Sequence, residues 1–172
     1  MGRILLWCQP LLPGDGADMA ALAEALSRLG AKVALLWGGA SPPPLTGVTA
    51  LPPARLADPA GPLLLDAAGE PLSHAWKKRR AAAALAAAVA FAPDLLVLDR
   101  YPFARRGFRF ELRPLAERGH QHGVPVACRR PPGAEEPPAG SGPAGPMPDR
   151  LSLDPDPVAA ARALLPLRRG SA

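Results

Sequence analysis

Residues 3–9 (RILLWCQ) and 31–37 (AKVALLW) are short apolar runs of the kind that strands buried on both faces require. Between them lie Pro10, a Pro13-Gly14-Asp15-Gly16 turn, and Leu22, Leu26 and Leu29 at i, i+4 and i+7, the spacing of one helix face. The order predicts a helix with Asp15 as its N-cap, Asp18 three residues on in the place of a capping carboxylate, and Gly30 as its stop. Strand, helix and strand in the first 37 residues leave little choice of architecture. They form two parallel strands joined by a right-handed helical crossover.

The remaining chain extends this pattern. Residues 40–71 are rich in Pro, Gly and Asp, with apolar pieces at 48–51 and 63–65, and predict one brief strand within irregular loop. Ser73 is placed to cap a long helix of good helix formers that runs to about Ala92, where Pro93 ends it. Residues 94–99 (DLLVLD) and 123–128 (GVPVAC) read as a third and a fourth buried strand, with a helical segment between them that starts or kinks at Pro114. The expected fold class is α/β, a doubly wound parallel sheet. Residues 130–150 hold seven prolines and four glycines and read as a linker. A last short helix is expected over 156–165, with Asp156 as cap and Pro157 at its first position. The organisation is therefore a domain over 1–129, a Pro/Gly-rich linker over 130–150, and a short helix and tail over 151–172.

Composition supports a core: 48% of residues are hydrophobic and mean hydropathy is +0.05. No apolar run reaches the length of a membrane span, and the few apolar residues after Met1-Gly2-Arg3 are too short for a secretory leader, so a cytoplasmic protein is expected. Of 20 cations, 17 are arginines, set against 15 acids, and the sequence pI is near 10.0. Arginine forks suit phosphate and carboxylate partners, although GC-rich coding favours Arg, Ala, Pro and Gly together and accounts for the same bias. Cys8 and Cys128 stand alone, without zinc spacing or a disulfide framework, and read as small buried hydrophobes. No metal and no cofactor is expected.

Ligands of open α/β sheets sit outside the carboxyl ends of the strands, here residues 9–18, 38–41 and 99–110. Gly14-Asp15-Gly16 opens a helix as a dinucleotide fingerprint does, but Met19 occupies the third glycine position and no acid follows the second strand. The G-K-[ST], G-x-S-x-G and H-E-x-x-H motifs do not occur. The helix start suits an anion, while Asp15 and Asp18 either compete with that anion or cap the helix. Lys77-Lys78-Arg79-Arg80 spans more than one turn and reads as a solvated face. Arg105 and Arg106, with Arg109 and Arg113 beyond, follow a strand end beside Tyr101, Phe103 and Phe108. Such arginines grip phosphate, and such aromatics either stack on a sugar or base or plug the core. His74, His120 and His122 read as cations near helix ends.

Over residues 66–115 a longer pattern is present. It comprises Asp66-x-x-Gly69-x-Pro71, Lys78-Arg79-Arg80, Pro93-Asp94-Leu95-Leu96-Val97 and Tyr101-Pro102-Phe103-x-Arg105-Arg106-x-x-Arg109-Phe110-Glu111-Leu112-x-Pro114-Leu115. Together with Arg3-Ile4-Leu5 and the turn at Leu11 to Gly14, it resembles the N-terminal half of a bacterial family of predicted glycosyltransferases. That family is similar to the enzyme that adds N-acetylglucosamine to the lipid intermediate of peptidoglycan. The resemblance spans about residues 3–128 and is most specific at Tyr101 to Arg106.

It implies a Rossmann-like domain of the GT-B type that supplies the acceptor side, with a Pro/Gly-rich C-terminal segment where the family continues into a nucleotide-sugar domain. On this reading the chain is a truncated, acceptor-binding half that needs a nucleotide-sugar-binding partner domain or chain. Its acceptor is a phosphorylated or lipid-linked sugar, and its place is cytoplasmic or peripheral to the inner membrane. Gly14, Gly16, Tyr101, Phe103, Arg105, Arg106 and Arg109 are the substrate-binding candidates. Where the family shows Gly-x-Gly-His, this chain reads Gly14-Asp15-Gly16-Ala17-Asp18, which leaves Asp15 and Asp18 as the candidates for a catalytic base. The alternative is a non-catalytic, degenerate Rossmann-like interaction module. A nucleic-acid binder rests on pI and the basic clusters alone, with no recognition motif behind it.

Overall fold

The computed structural model describes residues 2–129, 133, 149–151 and 156–168. Six strands form one parallel sheet: β1 (Arg3–Cys8), β2 (Lys32–Trp37), β3 (Val48–Ala50), β6 (Leu95–Asp99), β7 (Val126–Arg129) and β8 (Asp149–Leu151). Between β3 and β6 the two-residue strands β4 (Arg55–Leu56) and β5 (Leu64–Leu65) pair antiparallel as a separate small hairpin. The helices are α1 (Ala17–Arg28), α2 (His74–Phe91), α3 (Arg109–Gln121) and α4 (Pro157–Leu164).

In the large sheet the order is β3-β2-β1-β6-β7-β8. The chain winds outward from β1 in one direction and from β6 in the other, so the switch point lies between the carboxyl ends of β1 and β6. This is an α/β, Rossmann-like, doubly wound parallel sheet, as the sequence predicts.

Alternation along β1 and β6 divides the core in two. Ile4, Leu6, Cys8, Leu95 and Val97 face α1 and α4, packing on Met19, Leu22 and Leu26 and on Ala160, Ala161 and Leu164. Leu5, Trp7, Leu96 and Leu98 face α2 and α3, packing on Trp76, Ala84, Ala88, Leu112 and Leu115. Both faces of the sheet are covered, which is why the strands read as unbroken apolar runs.

Several local expectations change. Asp15 does not cap α1: Gly16 holds that position in the left-handed region (φ 89°), and no side chain caps the helix. Helix α3 does not begin at Pro114. A short 3-10 turn over Arg106–Phe108 leads into it, and Pro114 sits in its second turn. Residues 40–71 hold three short strands rather than one; pairs of two residues leave no periodic trace in a sequence. Most of the 130–150 segment expected as a linker lies outside the described residues, and β8 joins the sheet at its end. Ser73 caps α2 by accepting from the Trp76 N–H. Asp156 caps α4 by accepting from the Val158 and Ala159 N–H groups.

The largest departure is Arg80. It does not lie on a solvated face: it is fully buried, in the stripe Trp76, Arg80, Ala84 and Ala88 that α2 turns to the sheet. Its Nε donates to Glu111 Oε2 at 2.8 Å and its Nη2 to Glu111 Oε1 at 2.8 Å and Gln9 Oε1 at 2.6 Å, while Nη1 reaches the Pro52 carbonyl at 2.9 Å. The guanidinium also lies over the Phe108 ring, 4.8 Å from its centroid. Trp7 Nε1 donates to the same Glu111 carboxylate, so the buried charge is paired and hydrogen-bonded throughout.

Candidate functional site

At the carboxyl ends of β1, β6 and β7, on the α1 side, six charged residues gather: Asp15, Asp18, Asp99, Arg100, Arg105 and Arg129. Asp99 and Arg129 are the last residues of β6 and β7 and stand opposite each other in register. The other four come from the loop after β1, the first turn of α1 and the loop after β6.

Asp15 is the centre of the group. Its Oδ2 accepts from the Leu11 N–H at 3.1 Å, the Leu12 N–H at 3.2 Å and Arg105 Nη2 at 2.7 Å, and its Oδ1 from Arg100 Nη1 at 3.3 Å. Burial by itself pushes this carboxyl up, but the Leu11 N–H, Arg105, the Leu12 N–H and Arg100 together hold it below the ordinary aspartate value. Arg100 and Arg105 both hold left-handed backbone conformations, at φ 60° and 64°. Such torsions cost energy in a non-glycine residue and persist where the surroundings enforce them.

Asp99 behaves in the opposite way. It is buried, and burial raises its carboxyl above the ordinary value although Arg100, Arg129 and Arg105 pull it down. Cys8 Sγ donates to its Oδ2 at 3.8 Å, and Arg129 Nη1 and Arg100 Nε approach its Oδ1 at 3.6 and 3.7 Å. Asp99 Oδ1, Arg105 Nε and Arg129 Nη1 are buried atoms without a hydrogen-bond partner among the described residues. Burial, then the Asp99 charge, pushes the Cys8 thiol far above its ordinary value and the Cys128 thiol up to about 12, which disfavours the thiolate at both. Arg129 also pairs with Asp18, whose own side chain is 64% exposed in the first turn of α1.

The structure thus brings Gly14, Asp15, Gly16, Asp18 and Arg105 together. The remaining candidates lie apart from them. Tyr101 is buried in the α2/α3 core, and burial raises its phenol while Arg109 and Arg113 pull it back. Phe103 is half-buried; Arg106 is exposed, with Nε donating to the Pro102 carbonyl at 3.3 Å; Arg109 is exposed at the start of α3. Sequence reasoning missed Asp99, Arg100 and Arg129 as members of the site. The available signal was position, since each ends or directly follows a buried strand on the edge where such sheets bind ligands.

Among the cavities of the described residues, two lie at opposite edges of the sheet. One of about 400 Å³ lies at the carboxyl edge and is lined by Pro10, Leu11, Leu12, Gly39, Ala54 and Arg55, among others. Another of about 430 Å³, mostly apolar, lies at the amino edge between the ends of α2 and α3, with Leu96, Leu115 and Arg118 in its wall. Of these two, the first adjoins the loops that an α/β sheet uses for ligands.

The chain is similar to SsfS6, a glycosyltransferase of Streptomyces sp. SF2575, at 19% identity and a TM-score of 0.50, over 76% of this chain and 39% of that one. The fold is the one that the matching part of SsfS6 adopts. Phytolacca americana UGT2 is similar at 17% identity and a TM-score of 0.44 over 76% of this chain and 29% of that one. The corresponding values for the spinosyn rhamnosyltransferase SpnG are 20%, 0.39, 76% and 34%. All three are glycosyltransferases of the GT-B type, and this chain spans well under half the length of each. The likeness to SsfS6 bears on the fold alone and not on the peptidoglycan N-acetylglucosaminyltransferase in particular. No protein-family model matches the chain, and no curated protein does. Among the described residues, no helix is long and apolar enough to cross a membrane.

Proposed function

We propose that this chain is the acceptor-binding half of a glycosyltransferase, working with a nucleotide-sugar-binding domain or chain that completes the cleft. The observation that carries the proposal is the carboxyl edge of the sheet, where Leu11 and Leu12 border a cavity of about 400 Å³ on one side and, through their N–H groups on Asp15, a cluster of three arginines and three aspartates on the other. The acceptor class is a phosphorylated or lipid-linked sugar, presented at the cytoplasmic face of the inner membrane, with its sugar in the cavity and its anionic part toward the arginines.

In transfer with inversion, a base takes the proton from the acceptor hydroxyl as its oxygen bonds to the anomeric carbon. The bond from that carbon to the nucleoside diphosphate breaks, and the departing oxygen keeps the electron pair. Asp18 suits the base role better than Asp15. Its carboxylate is largely exposed in the first turn of α1, whereas Asp15 is held ionised by four donors. Stabilising the departing diphosphate falls to the partner.

A ligand that binds only the folded state raises the unfolding midpoint, by about 2.7 kcal/mol of stability at a hundredfold excess over Kd. Thermal unfolding with UDP, UDP-sugars, TDP-sugars and a polyprenyl-phosphate sugar analogue therefore tests the proposal. Stabilisation by the acceptor analogue and not by nucleotide sugars alone is expected. Stabilisation by nucleotide sugars alone overturns the acceptor assignment. The second reading, a non-catalytic interaction module, is favoured by the mutual pairing of Asp15 and Arg105, and it predicts no shift with either class.

A further inference from the structure

We propose that the Leu11 and Leu12 N–H groups, Arg100 and Arg105 form an oxyanion site for a phosphoryl group, and that Asp15 fills this site from within the chain. Four donors converge on one side chain: two backbone N–H groups at 3.1 and 3.2 Å and two guanidiniums at 3.3 and 2.7 Å. A loop turn needs only the first two. The two arginines arrive from the far side of the switch point, 85 and 90 residues along the chain, and both sit in left-handed backbone conformations.

The four donors use up the lone pairs of the carboxylate and leave one donor over. Arg105, with only 9% of its side chain exposed, keeps its Nε buried and unpartnered on the same guanidinium that grips Asp15. A carboxylate offers two oxygens and one negative charge. A phosphate monoester offers three terminal oxygens and up to two charges, which match two guanidiniums, two N–H groups and the spare Nε. Asp99, 3.7 Å from Arg100 Nε, offsets part of the positive charge and leaves Arg105 the stronger grip.

Asp15 is also placed to leave. It lies between two left-handed glycines, of which Gly14 stands in open space and Gly16 is seated against Trp37. Rotation about the Gly14 torsions turns the carboxylate outward while Gly16 keeps its seat. The empty cradle then takes the phosphoryl group. The inference rests on the acceptor reading only in making that group part of a sugar acceptor, and the site itself is tested with inorganic phosphate.

The experiment is a calorimetric titration of inorganic phosphate into the wild-type chain, Asp15→Ala and Asp15→Ala/Arg105→Gln. Sodium chloride at matched ionic strength serves as control, and circular dichroism checks the fold. Asp15→Ala is expected to bind phosphate at least tenfold more tightly than wild type, and Arg105→Gln to abolish the gain. A folded Asp15→Ala chain without the gain overturns the proposal, as does a gain that survives Arg105→Gln. If Asp15→Ala does not fold in phosphate-free buffer, phosphate but not chloride should restore its folded circular dichroism. Failure of that rescue equally overturns the proposal. Loss of the phosphate site with retained binding of the acceptor analogue refutes this inference and leaves the acceptor reading standing.

Discussion

Arg80 and Glu111 meet at 2.8 Å with neither side chain exposed to water. Burial pushes the Glu111 carboxyl up, and the Arg80 charge and hydrogen bonds from Arg80 and Trp7 oppose that push. Removing one partner strands a buried charge, which costs about 3–5 kcal/mol, whereas replacing both with apolar residues of similar volume is close to neutral. Glu111→Leu should therefore lower the unfolding free energy by about that amount in urea titrations. Arg80→Met/Glu111→Leu should recover most of the loss. A single substitution costing under about 1 kcal/mol would show that the pair is solvated.

The two glycines of the first loop are unequal. Gly14 and Gly16 both have φ above 80°, which costs an L-residue roughly 1–2 kcal/mol. A Cβ on Gly16, however, would also lie 2.5 Å from the Trp37 ring and 3.3 Å from Cys8 Sγ. Gly14→Ala should cost about 1–2 kcal/mol. Gly16→Ala should cost about 1–3 kcal/mol more through overpacking, read as the difference between their urea midpoints. Equal costs would mean that Trp37 moves aside freely.

Helix α4 closes the α1 face of the core although it follows the sheet in sequence. Leu164 and Ala161 are fully buried there. Leu164→Ala should destabilise the whole fold by about 2–5 kcal/mol, in a single cooperative transition. Asp156→Ala should cost about 1 kcal/mol through the lost cap. A Leu164→Ala chain as stable as wild type would mean that α4 is dispensable to the domain.

Stability should depend on pH through Asp99 and Asp15 with opposite signs. Asp99 holds its proton more tightly when folded than the ordinary value of 3.8, so its ionisation costs folded stability as pH rises from there through the raised value. Asp15 is held below that value, so its contribution is full above 3.8 and is lost as pH falls through the lowered value. The unfolding free energy of Asp99→Asn relative to wild type should thus grow between about pH 4 and pH 7. A flat difference across that range would show that the arginines fully offset the burial of Asp99.

What the sequence disclosed follows from which signals are local. The runs at β1, β2 and β6 and the Ser73 and Asp156 caps are written in neighbouring residues, and the structure places strands and helices there. Arg80 was misread because its place is decided by Glu111, 31 positions later, and by Gln9, 71 positions earlier. Its one local sign is its spacing of four from Trp76 and from Ala84 on the buried stripe. Asp15 was misread as a cap for the same reason: Arg100 and Arg105 compete for its oxygens, and only the strand order brings them near. Gly14, Asp15, Gly16 and Arg105 were legible as site candidates from turn chemistry and strand-end position. Asp99 and Arg129 needed the register of β6 against β7.

The Arg80 fork joins Gln9 after β1, Pro52 after β3 and Glu111 on α3. These three segments border the carboxyl edge on its α2/α3 side, and a single buried group clamps them to one another. Across the switch point the loop carrying Leu11 to Gly16 is held by its own turn hydrogen bonds and by the Asp15 ion pairs with Arg100 and Arg105, which lie closer to water than the Arg80 pair. Where a ligand at this edge demands room, the displacement costs least on the α1 side, because the ion pairs to be broken there are the ones nearer water.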